Sequence, residues 1–330
     1  LEMSSSDANL VTLINELTIQ FNRYLPLLMY IFGLIGNVLN VLVLSRRTLR
    51  SNPCAFTFLI SSIASIITII SGLTTRLTAG WSLDLSETNT WLCKIRIVVL
   101  FTSRTIVVWL LAYTALDRWF SSSSKTNRRN LSSLKNSYRN IFIISILSLM
   151  LNGPLLYCYQ ANLIGTPAKC YGFTEECRLY TDLSFTFGTI VIPSLFMLVF
   201  GLLMIHNIHQ SRKRIHQQQQ KSIGTSNPPS NPTNPRINER KVNRSLLRMV
   251  FVQVIFLILS TAPYVIYKVY ITITPIAASK PALQSAIERF LFNLCTNLTY
   301  LATAMPFYIF TLWGGKLFRR ELVAVFKGIC

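Results

Sequence analysis

The chain has 330 residues, of which 51 % are hydrophobic and only 13 % charged, and its mean hydropathy is +0.43. That balance excludes a water-soluble globule. The formal charge of +20, from 32 Lys and Arg against 12 Asp and Glu, would suit nucleic acid, but the charges cluster in a few short segments whose placement explains them better.

In chain order, uncharged stretches long enough to cross a bilayer cover 24–45, 51–75, 140–168, 183–211, 249–267 and 290–315. The segment between Arg96 and Asp117 adds another, interrupted only by Arg104. A backbone in lipid must satisfy its own polar groups, so helix is expected throughout. The reading is an all-α membrane protein, a seven-transmembrane helix bundle over 25–313. Its helices fall at 25–45, 54–77, 92–120, 140–159, 183–207, 245–271 and 290–312, after an extracellular N-terminus at 1–24.

Arg46 to Arg50, Lys125 to Arg139, Arg212 to Arg248 and Lys316 to Lys327 hold 21 of the 32 basic residues. The positive-inside rule puts these segments and the C-terminus in the cytosol and the N-terminus outside. The positive charge then faces anionic inner-leaflet lipid, and nucleic acid is not an expected partner. Residues 208–242, with Gln217 to Gln220 and a Pro- and Asn-rich run to Pro235, read as a disordered third cytoplasmic loop. Over 314–330, Leu317, Phe318, Leu322, Val325 and Phe326 share one face, as in an amphipathic helix lying on the membrane. Cys330 beside it is a candidate for palmitoylation.

The chain carries no Walker loop, no Gly-x-Ser-x-Gly and no His-Glu-x-x-His. His206, His209 and His216 read as a solvated basic membrane edge, so no catalytic residue, metal or cofactor is expected. Broken, repeated halves of the transporter kind are not evident either.

Several features then point one way. Gly36-Asn37 stands in the first span, and Pro53 follows a short basic loop. Cys93 opens the third span, which closes with Asp117-Arg118-Trp119, and 25 positions separate Cys93 from Arg118. Pro154, Pro193, Pro263 and Pro306 fall in spans four to seven. In these the chain resembles the rhodopsin-like (class A) G-protein-coupled receptors over nearly its whole length, and within them a divergent invertebrate neuropeptide group, the FMRFamide-receptor-like one. It departs from the family pattern at Ser65, Gly201, Ser260-Thr261 and Met305.

The resemblance implies a plasma-membrane receptor that passes the binding of an extracellular peptide to a heterotrimeric G protein, with arrestin and a receptor kinase as further partners. It implies that Arg118 is the switch, held by Asp117 beside Trp119, with Arg244 and Arg248 lining the G-protein crevice and the four prolines kinking their helices. It also implies a disulfide from Cys93 to Cys170, with Cys177 as the alternative. Cys54, Cys158 and Cys295 read as apolar packing. The competing reading is a seven-helix transporter or scaffold that does not signal.

For the ligand, Leu100 stands five turns before Arg118, where an amine receptor would need Asp, and 290–315 contains no Lys for a retinal Schiff base. Arg104, four turns before Arg118, would cost about 2.5–3.5 kcal/mol facing lipid and must face a polar cavity. Arg76 and Lys268 would share that cavity, and Glu288 would stand with Glu87, Glu175, Glu176 and Asp182 at its rim. Three cations would then await one anionic group of the ligand.

Overall fold

The computed structural model describes residues 5–81, 84–123, 125–164, 169–222, 235–273, 281–313 and 315–329, over parts of which, including 211–222 and 235–250, it describes the backbone alone. Helix dominates. The first span is α1 (Ser5–Leu44), and a single turn α2 (Arg47–Arg50) leads into α3 (Pro53–Gly80). The third span is α4 (Thr90–Ser122), capped by Asn89, whose side chain accepts from the Leu92 N–H. A turn α5 (Thr126–Arg129) precedes the fourth span α6 (Leu134–Asn152) and the short α7 (Leu155–Cys158). The fifth comprises α8 (Glu175–Leu183), a π-helical stretch Ser184–Val191 and α9 (Ile192–Ser222). The sixth is α10 (Pro235–Ile273), and the seventh divides into α11 (Ala282–Ala304) and α12 (Pro306–Trp313), followed by α13 (Gly315–Ile329).

Among the described residues six segments are long and apolar enough to cross a membrane by length and composition. The seventh span is more polar because α11 buries Asn293, Thr296, Asn297, Thr299 and Thr303 against its neighbours. Outward-facing Leu202, Leu259 and Ile266 are each about two-thirds exposed, as suits a lipid-facing surface.

Several expected boundaries move. Helix begins at Ser5 rather than 25, since 5–24 carries no helix breaker and the chain continues straight into the first span. The 208–242 loop is helical at both ends, because α9 runs to Ser222 and α10 starts at Pro235; only 223–234 lies outside the described residues. The fourth span runs Leu134–Cys158, but its helix is interrupted after Asn152, where Pro154, which has no N–H to continue a ladder, stands at the cap of α7.

Each of the other prolines has a local consequence. Pro193 follows the π-helical stretch, in which the Ile192 N–H reaches back to the Phe187 carbonyl. The loosened ladder leaves the Gly188 carbonyl to accept from Trp109 Nε1 at 2.9 Å. Pro263 lies inside α10, and Pro306 restarts the seventh span after Met305.

Close packing explains two glycines. A Cβ at Gly33 would meet Ile69 Cδ1 at 2.9 Å and Ala304 Cβ at 3.0 Å, so the residue lets α1, α3 and α11 approach one another. One turn on, Asn37 Nδ2 donates to the Gly33 carbonyl at 2.8 Å and the Thr303 carbonyl at 3.1 Å, tying the first span to the seventh. Helix α13 turns Phe318 and Val325 inward onto the cluster that holds Phe58 and Phe310, while Glu321 pairs with Arg46 at 3.2 Å. It is the amphipathic eighth helix; Cys330 lies outside the described residues.

Candidate functional site

Two sites share α4. At one end Asp117 and Arg118 are almost fully buried, and Arg118 Nη2 lies 2.7 Å from Asp117 Oδ2. Neighbouring residues on a helix diverge by 100°, so the contact requires the Arg side chain to fold back along its own helix. Two residues that local sequence does not flag complete the arrangement. Ser132 Oγ donates to Asp117 Oδ1 at 2.7 Å, and Arg118 Nη2 donates to Asn52 Oδ1 at 3.3 Å. Asn52 also accepts from the Cys54 N–H at the start of α3.

Trp119 packs on Phe200 of α9 with ring centroids 5.2 Å apart, and the Arg128 guanidinium stands 5.2 Å over its ring. The larger ring therefore links the third span, the fifth and the α5 connection. Arg244 and Arg248 belong to α10 by backbone, and their side chains lie outside the described residues.

The opposite end is closed by two disulfides. Cys93 of α4 bonds to Cys170, and Cys158 bonds to Cys177. The second corrects the reading of Cys158 as a packing residue. Cys177 stands in the first turn of α8, which brings it back over α7. Between them a hairpin pairs β1 (Tyr159–Gln160) with β2 (Tyr171–Gly172), with Tyr159 opposite Gly172. Cys54 and Cys295 are free and buried.

Beneath this cover is a cavity of about 150 Å³ lined by residues of α3, α4, the hairpin, α8, α10 and α11. Arg76, Leu100, Arg104 and Lys268 all line it. Glu288 does not. Its carbonyl accepts from Tyr267 and its carboxylate from Gln284 and Tyr270, on the α10–α11 seam away from the cavity. Lys268 does not await an anion, because Asp182 Oδ1 meets its Nζ at 2.6 Å. The α8 helix turns Asp182 inward, so this acid leaves the rim and joins the cavity wall.

Arg104 is 9 % exposed and lies between two rings, 5.3 Å from the Phe185 centroid and 4.7 Å from that of Tyr300. Its Nη2 has no hydrogen-bond partner among the described residues. Gly72 makes this possible, because a Cβ there would collide with the Tyr300 ring and with Leu100. Arg76 Nη1 donates to Asn293 at 2.8 Å. Arg96, not among the expected pocket residues, also lines the cavity, bonded to Thr75 and at 3.5 Å to Cys170 Sγ. The signal for it was present: Arg96, Leu100 and Arg104 recur every four residues and so share one helix face.

His206 bonds to Gln210 at 2.9 Å, and no group of three potential metal ligands occurs among the described residues. The family model for the seven-transmembrane receptors of the rhodopsin family matches residues 36–307 of the chain. No individual curated protein matches it.

Proposed function

Because the chain belongs to the rhodopsin family of seven-transmembrane receptors, we propose that it converts the binding of an extracellular ligand, a short peptide of the neuropeptide kind, into activation of a heterotrimeric G protein. In this reading the disulfide end and the N-terminus face the outside of the plasma membrane. The Arg118 end and α13 face the cytosol, where arrestin and a receptor kinase are further partners.

The observation that carries the reading is the buried Asp117–Arg118 pair on the helix whose other end forms the cavity wall. Paired in this way, Arg118 is unavailable to a G protein. An agonist in the cavity shifts the equilibrium by its differential affinity for the two states. The sixth span contributes Lys268 to the cavity and is hinged at Pro263, so its outward swing would open a crevice between Arg118 and the Arg244 to Arg248 stretch. An anionic group on the ligand would meet the guanidinium groups of the cavity.

The test is nucleotide exchange on a panel of G proteins in cells displaying the chain, against pools of short amidated peptides. Arg118→Ala is expected to abolish exchange at unchanged surface display. Full exchange in that variant, or silence of the parent chain with every G protein and pool, would overturn the reading in favour of a seven-helix protein that does not signal.

A further inference from the structure

The cavity wall carries four cations, Arg76, Arg96, Arg104 and Lys268, and three acids, Asp84, Glu87 and Asp182. Two of the acids are engaged in ion pairs: Asp182 with Lys268 at 2.6 Å, and Glu87 with Lys169 at 2.9 Å. Three guanidinium groups remain against Asp84, whose Oδ1 is occupied by the Ser86 N–H and hydroxyl. An excess of two positive charges is therefore left.

Two of these guanidinium groups are also short of acceptors. Arg104 Nη2 and Arg96 Nε are buried with no hydrogen-bond partner among the described residues. Arg76 lies within electrostatic reach of both, so three like charges face one small space. Cations so placed repel and are poorly solvated, and the ring faces and the single amide and hydroxyl acceptors they meet offset this only in part.

We infer that this cavity binds a head group bearing two negative charges, a phosphate monoester or a pair of carboxylates, seated on Arg76, Arg96 and Arg104. The inference rests on the ligand reading of the cavity and extends it. A single carboxylate neutralises one of the two excess charges and can take a bidentate bond from one guanidinium, whereas a dianion supplies acceptors for several. Lys268 is not part of the subsite, because Asp182 already occupies it.

The experiment uses the full chain in lipid nanodiscs at pH 8. Its melting temperature is titrated with inorganic phosphate, glutarate and acetate at matched ionic strength, with chloride as the background. Both dianions, or one of them, are expected to raise the melting temperature saturably with an apparent Kd at least tenfold below that of acetate. Phosphate as the stronger probe identifies a phosphate ester, and glutarate as the stronger identifies paired carboxylates. Arg96→Gln and Arg104→Gln should each weaken the effect at least tenfold, and Glu288→Gln should leave it unchanged. Arg104→Lys, which keeps the charge, guards against a Gln variant that does not fold and should retain part of the binding. Acetate equal to both dianions, or an undiminished response in Arg96→Gln, overturns the inference. Nucleotide exchange through Arg118 is read separately, so the subsite can fail while the receptor reading stands.

Discussion

Arg104 and Arg118 are buried residues of one type on one helix, and their surroundings are opposite. Arg118 has an adjacent carboxylate at 2.7 Å and an amide acceptor from the start of α3. Arg104 has two ring faces and an Nη2 without a hydrogen-bond partner among the described residues. The first is an internally closed pair, in keeping with a switch held at rest. The second is open toward a cavity, in keeping with a group whose partner arrives from outside.

The comparison is sharpest in a pair of matched substitutions. Arg118→Leu strands Asp117, which is 1 % exposed, and should cost about 3–5 kcal/mol of stability, seen as a large fall in melting temperature in nanodiscs. Arg104→Leu removes a cation that has no acid partner among the described residues and should stabilise the ligand-free protein, by about 1 kcal/mol. Destabilisation by both to the same degree would end the distinction between a closed and an open Arg.

The cover of the open end comes next in size. Replacing both Cys158 and Cys177 by Ser releases a cross-link spanning 19 positions and should cost about 2–4 kcal/mol, again read by melting. The response of the cavity to anions should weaken with it, whereas the Arg118 end should be unaffected. Ser132→Ala removes a donor from the buried Asp117 and should cost about 1–3 kcal/mol, with a several-fold rise in basal nucleotide exchange as Arg118 is held less firmly. Unchanged basal exchange would remove Ser132 from the account of the resting state. The smallest effect is expected from Arg46→Ala. Its partner Glu321 lies on α13, but the Arg side chain is 41 % exposed, so the loss should stay below about 1 kcal/mol.

Legibility in the sequence followed the range of the interaction. Asp117 and Arg118 are consecutive, and their pairing needs only one turn of helix and a buried setting. The spans were equally readable, since lipid imposes helix on any long apolar run. Glu288 was misassigned because it stands in the second turn of α11, ahead of the apolar run, and the sequence does not say which way that turn faces. Lys268 was read as open because its partner Asp182 lies on α8, a turn of chain that could equally have pointed into solvent.

The sequence alone thus determined the helical spans, the placing of Arg104 away from lipid and the amphipathic α13, all properties of local pattern against a fixed apolar solvent. Tertiary structure alone decided that Cys158 meets Cys177, that Asn52 and Ser132 reach the Asp117–Arg118 pair, and that Asp182 takes Lys268. Those contacts depend on how connections return across the ends of the bundle. Apolar periodicity carries no information about that, because both courses of a loop bury the same helices.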